Sequence, residues 1–206
     1  YANGLGVKLN IDRAISLFGA AADQGHARAR YLFGGLYLIL HGVDRNIDRS
    51  LRLLQKSAAQ GQGDAQHTLG MIHFEGRSVK KNYFEAVKYF QLSAKQGHIL
   101  GQYYLGVCYE KGKGVKKDLA EAAKWYLKAA RQGVPFAQYA IGNIYASGRG
   151  VSRNLIEAYA WLMIASFNGV AEAEKSLSTI GRLMPRDELM QGADRSKILF
   201  KEIEER

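Results

Sequence analysis

Cysteine and proline are nearly missing from this chain: one cysteine and two prolines in 206 residues. A lone Cys108 cannot close an internal disulfide, so the fold does not depend on an oxidising compartment, which leaves export open. With so little proline, helices can run uninterrupted. No stretch approaches the apolar length of a membrane span, and no secretory leader is legible. Acidic residues number 19 against 29 basic ones, a formal charge of +10, which favours acidic partners. The five histidines, His26, His41, His67, His73 and His98, show no zinc-ligand spacing and no cysteine cluster. No metal site and no cofactor are expected.

What the chain does have is a period. Gly25, Gly61, Gly97, Gly133 and Gly169 stand thirty-six residues apart, as do Val7, Val43, Val79, Val115 and Val151. Gly34, Gly70, Gly106 and Gly142 repeat with the same spacing. A fixed period of this size marks a solenoid, whose repeats bury their apolar faces only against their neighbours. Tyr1 aligns with Tyr37, Tyr109 and Tyr145, well inside the unit, so the native N-terminus is expected to lie upstream.

Each unit reads as two helices. Residues 102–110 read as the first helix, and Gly101 just before it falls on one helical face with Leu105, Cys108 and Tyr109. A glycine-rich basic turn follows from Lys111 to Asp118, with Val115 expected to plug the core beneath it. Equivalent turns are predicted at 40–46, 76–82, 112–118 and 148–154. Asp118 with Glu121, Asn82 with Glu85, and Asn154 with Glu157 have capping-box spacing. Asn10 and Asn46 keep the cap but are followed by Arg13 and Arg49. The second helix is predicted to bury Ala122, Trp125, Tyr126, Ala129 and Ala130, and to stop at Gly133 in the left-handed C′ position. Glycine inside the first helix should cost about 0.5–1 kcal/mol against alanine. Its fourfold recurrence implies close approach by a bulky Trp or Tyr of the second helix.

The segment from Leu105 to Gly133, repeated from Leu69 and from Ile141, closely resembles the Sel1-like repeat, a tetratricopeptide-type helix-turn-helix family. A weaker copy begins at Phe33, and half a copy precedes it. The resemblance implies an all-α fold, a right-handed α-α superhelix of antiparallel helix pairs with 36-residue repeats. It also implies a non-enzymatic adaptor in bacterial signalling, envelope or host contact. The paired cysteines of some secreted members are missing here. The expected array spans 1–169: a half repeat at 1–26, then repeats beginning near 27, 63, 99 and 135. Residues 170–206 are expected to supply a partial repeat and a capping helix opened by Pro185, with a stripe of Leu189, Ala193, Phe200 and Ile203.

Two surface columns are candidate sites. Tyr31, His67, Tyr103 and Tyr139 repeat on the first helix, away from its core stripe, with Met71, Phe74, Tyr104 and Asn143 on the same broad arc. In this family the first helices line the concave side, where such residues would anchor a protein or peptide. The competing reading is that the rings merely pack between repeats. The second column is basic: Arg45, Arg77, Lys80, Lys81, Lys113, Lys116, Lys117, Arg149 and Arg153 lie in the turns. It could dock an acidic protein, an anionic membrane or, less favoured, nucleic acid, or it could simply solvate a loop edge. The S-x-x-K of Ser78 and Lys81 lacks the partner motifs of penicillin-recognising enzymes. Finally, the helix from Ile11 to Gln24 is expected to have a bare apolar flank open to self-association.

Overall fold

The computed structural model describes residues 11–39, 47–76 and 79–205. These form helices and connecting turns, with no strand among them. Residues up to His98 make one compact unit and those from Ile99 another.

The first unit contains α1 (Ile11–Asp23), α2 (Ala27–Ile39), α3 (Ile47–Ala59), α4 (Gly63–Glu75) and α5 (Tyr83–Lys95). The second contains α6 (Ile99–Lys111), α7 (Leu119–Ala130), α8 (Pro135–Ser147), α9 (Leu155–Phe167), α10 (Ala171–Gly181) and α11 (Arg186–Glu204). The expected turns at 112–118 and 148–154 fall between helices, as does the described part of 76–82. The turn at 40–46, including His41, Val43 and Arg45, lies outside the described residues.

Glycine ends every second helix in the same way. Gly133, at φ 84°, donates its N–H to Ala130, while Val134 donates to Ala129. That is a Schellman motif, and Gly25, Gly61, Gly97 and Gly169 repeat it with φ between 85° and 96°. The caps at the other end differ from expectation. Asp118 Oδ1 accepts from the N–H groups of Ala120 and Glu121, and Asn82 caps α5 likewise. The reciprocal half of the box is missing, because the N–H of Asp118 goes to the carbonyl of Tyr109 instead. Asn82 and Asn154 give theirs to His73 and Tyr145 in the same manner. The cap residue therefore ties the second helix to the first, and the glutamates turn outward to Lys88, Lys124 and Arg195. Arg49, where a fourth glutamate would stand, lies over the rings of Phe33 and Tyr37.

The glycines inside the first helices do admit a bulky neighbour from the second helix, a tyrosine as predicted at Gly106 and other side chains elsewhere. A Cβ on Gly70 would lie 2.5 Å from the Phe90 ring, and one on Gly106 would lie 2.8 Å from the Tyr126 ring. At Gly34 and Gly142 the occupant is Leu54 or Leu162, not tryptophan. Trp125 is half-buried, with Lys128 over its indole, while its counterpart Trp161 is fully buried. The reason is α11, which packs on α9 and brings Leu199 into the same core. The stripe expected on α11 is also displaced. Leu189, Ala193, Phe200 and Ile203 are only partly buried, whereas Gly192, Ser196 and Leu199 are buried. Gly192 is central because Tyr159 occupies the space its side chain would need.

A second periodic feature joins the repeats. Gln66 and Gln138 are buried, and each donates to a carbonyl of the preceding helix, Ala58 or Ala130. Each also accepts from the turn thirty residues later, Gln66 from Gln96 and Gln138 from Asn168. Gln102 accepts from Gln132 in the same way. Satisfied at both ends, these amides carry little burial penalty.

Candidate functional site

The first helices of the second unit, α6, α8 and α10, line one open groove of about 1230 Å³. Three residues at matching repeat positions face it: Tyr103, Tyr139 and Lys175. One turn further along come Val107, Asn143 and Thr179. The wall continues to Phe136 and Leu183, which are 57% and 63% exposed.

Tyr126 forms part of the floor, its hydroxyl donating to Glu110 Oε2 at 3.0 Å. Burial raises its pKa, and the nearby Glu110 carboxylate raises it further. Tyr103 packs edge-on against Tyr104 and tilted against Tyr126, and its pKa is raised mainly by burial. These phenols stay neutral hydrogen-bonding groups, suited to binding and not to acid–base chemistry.

The basic column meets this groove. Lys117 and Arg149 both line it, together with Lys111. They are brought together because Gly150, at φ 87°, lets the 148–153 turn lie against the start of α7. A Cβ there would sit 2.5 Å from the Leu119 carbonyl carbon. Other members of the column have local roles. Arg153 donates to the Ala146 carbonyl, and the Lys81 ammonium lies 5.9 Å from the Tyr83 ring centre. Lys80 and Lys116 are exposed and Lys113 is half-buried. Arg45, Arg77 and Ser78 lie outside the described residues.

In the first unit the proposed anchors are tied up by neighbours. His67 stacks on His98 at 4.9 Å and lies near Phe90. His98 also reaches Asp64 Oδ1 at 3.2 Å. Burial, then His98, pulls the His67 pKa down to about 4, against the opposing pull of Asp64. Phe74 packs on Tyr83 and Phe90, and Met71 and Tyr31 are half-buried. On α1, Ala14 and Ala22 are buried while Leu17 is 49% exposed. Tyr104 abuts Tyr103 without lining the groove.

Sequence reasoning missed Lys175, Thr179, Glu110 and Phe136. The signal for the first two was available: they continue the columns of Tyr139 and Asn143 one period on. Cys108 is fully buried, and burial pushes its thiol up to about 12, so it is no nucleophile. Among the described residues no group of three or more His, Cys, Asp or Glu could hold a metal. No described helix is long and apolar enough to cross a membrane.

The geometry so far is that of a helical-repeat array with an open groove. The Sel1 repeat model matches residues 1–26, 27–62, 63–98, 99–134 and 135–166, and the chain belongs to the Sel1 repeat family. It is similar to a protective antigen with an SLR fold present in uropathogenic Escherichia coli strains. Identity to that antigen is 31% and the TM-score is 0.86 over 98% of this chain. The chain spans only 44% of the antigen's length. A Sel1 repeat protein from Oxalobacter formigenes is 32% identical with a TM-score of 0.79, over 96% of this chain and 83% of that one. No curated protein matches the chain. The fold is thus the all-α helical-repeat class that the period predicts. Sel1 repeat proteins generally mediate protein–protein interactions and are generally not enzymes.

Proposed function

We propose that the chain is a non-enzymatic adaptor that holds a partner protein or peptide in the groove lined by Tyr103, Tyr139 and Asn143. One observation carries this: three successive first helices turn aromatic and polar side chains into a single concavity that the fold itself leaves open. Half-buried tyrosines give a large contact area at small entropy cost on binding. A bacterial signalling, envelope or host-contact role fits the likeness to the E. coli antigen. Residues 170–206 serve as the cap, since α11 seals Trp161 and leaves its other face wet.

A photo-crosslinking residue at Tyr139 tests this, with Lys124 on the exposed face of α7 as control. A discrete cross-linked partner from Tyr139, lost in Tyr103→Ala, supports the groove. Cross-links only from Lys116 in the basic turn would sink it. That outcome would favour the second reading, an electrostatic docking edge built in the second unit on the exposed Lys116, Lys117 and Arg149.

A further inference from the structure

Some lysines of the second unit are matched by a nearby carboxylate and others are not. On the outer faces, Lys124, Lys197 and Lys201 are each matched by a carboxylate three or four residues away, Glu121, Asp194 and Glu205, whereas among the described residues the exposed Lys128 has only the Trp125 ring. In the groove the balance is different. Lys111, Lys117, Arg149 and Lys175 line it against one carboxylate, Glu110, which already accepts from Tyr126 and pairs with Lys111. Lys117, Arg149 and Lys175 are exposed and make no ion pair among the described residues. The groove therefore carries an excess of positive charge, an asymmetry of four cations against one carboxylate. A cleft lined by one sign of charge concentrates its field and draws in the opposite charge.

From this asymmetry we propose that the groove's partner is an acidic, amphipathic peptide segment. Its carboxylates are received by Lys117 and Arg149 at the turn end and by Lys175 on α10. Its apolar side chains lie on Tyr103, Tyr139, Phe136 and Leu183. This deepens the groove reading above and rests on it. Three features select this occupant. A concavity of about 1230 Å³ exceeds the roughly 300–1,000 Å³ of small-molecule sites. Its curvature does not fit a flat bilayer. Its exposed Phe136 and Leu183, with Glu110 on the wall, suit a peptide better than a phosphate backbone, which is bound by dense Lys and Arg contacts.

The test uses the whole chain and a fluorescein-labelled peptide of repeating Glu-Glu-Leu-Tyr, with Gln-Gln-Leu-Tyr as its neutral twin. The acidic peptide should bind at about 0.05 M salt and weaken steeply by about 0.5 M, where screening shortens the reach of charge to a few ångströms. The triple variant Lys117→Glu, Arg149→Glu, Lys175→Glu should weaken it at least about tenfold. Reversing the paired outer lysines, Lys124→Glu with Lys197→Glu, should leave it unchanged, and circular dichroism should show both variants folded. Equal binding of the two peptides, lost in Tyr103→Ala with Tyr139→Ala, would overturn the acidic partner and leave the groove reading standing. Acidic-peptide binding that ignores the triple variant would overturn the charge assignment. No binding of either peptide, or displacement of the acidic one by a single-stranded oligonucleotide at the same residues, would overturn the proposal.

Discussion

In the first unit α3 carries Ser50 and Ser57 at positions that the second unit fills with alanine, Ala122 and Ala129 in α7, then Ala158 and Ala165 in α9. All are buried. The hydroxyls are not wasted. Ser50 donates to the carbonyl of Gly34 and Ser57 to that of Ala27, both at 2.7 Å, so α3 is hydrogen-bonded to α2 as well as packed on it. The second unit closes the same interface with methyl groups and larger apolar side chains, Tyr126, Leu162 and Trp161. One repeat geometry therefore tolerates two core chemistries, provided every buried hydroxyl finds an acceptor. The units also differ in the titratable groups they bury: an imidazole in the first, a thiol and the Tyr126 phenol in the second.

The sharpest way to break the comparison is in the apolar core of the second unit. Trp161→Ala removes a fully buried indole and should cost about 3–5 kcal/mol, whereas Trp125→Ala one period earlier should cost about 1 kcal/mol or less. Urea titration followed by amide exchange reads both, with α9 and α11 losing protection only in the first variant. Similar costs for the two would show that α11 does not create the difference.

Next in size are the glycines of the first unit. Gly70→Ala places a methyl 2.5 Å from the ring of fully buried Phe90 and should destabilise by about 1–3 kcal/mol. Gly35→Ala, on the neighbouring first helix, meets nothing within 4 Å and should stabilise by about 0.5–1 kcal/mol through helix propensity alone. Opposite signs in thermal melts are expected. A loss from Gly35→Ala would show that the open space is used.

Acid should then separate the two units. His67 has a pKa lowered to about 4 by burial, so between pH 6.5 and about 4 the unfolded chain takes up a proton that the folded unit resists. Stability from this group is present above pH 6.5 and is lost as pH falls through that window. The thiol of Cys108, raised to about 12, acts at the other end: its contribution is lost as pH rises above about 9. Protection factors of the α4 amides, corrected for the intrinsic exchange rate, should therefore fall at mildly acidic pH, and His67→Gln should flatten that response. An unchanged pH profile in the variant would locate the acid sensitivity elsewhere.

The helices and their glycine stops were legible because each is set by periodicity or by local backbone chemistry. What escaped was set by which neighbour arrives. Glu121 has the spacing of a capping box, yet the Asp118 N–H it would serve is taken by Tyr109, a residue of the preceding helix. Trp125 and Trp161 occupy the same repeat position and differ because one has α11 over it. The centre of α11 was missed because its buried positions hold Gly192 and Ser196, which no hydrophobic pattern marks. Within the groove, Tyr103 and Tyr139 could be read from their column, while Lys175 continued that column under a different chemistry and was passed over.

The smallest expected effect bears most directly on the serine–alanine contrast. Ser50→Ala makes α3 resemble its counterparts α7 and α9 at one atom. It removes a buried hydroxyl and the 2.7 Å bond to the Gly34 carbonyl, but that carbonyl lies inside α2 and keeps its helical partner, so no orphaned acceptor is left behind. The cost should be that of one ordinary hydrogen bond, about 0.5–1 kcal/mol, offset in part by the easier burial of a methyl group. The space is not a constraint, since alanine already fills the same position at Ala86, Ala122 and Ala158 with no exposure. A shift of that size or smaller in the urea midpoint of the first unit is expected. A loss of several kcal/mol would mean that the hydroxyl holds α2 and α3 in register, and that the alanine cores of the second unit achieve the same register by packing alone.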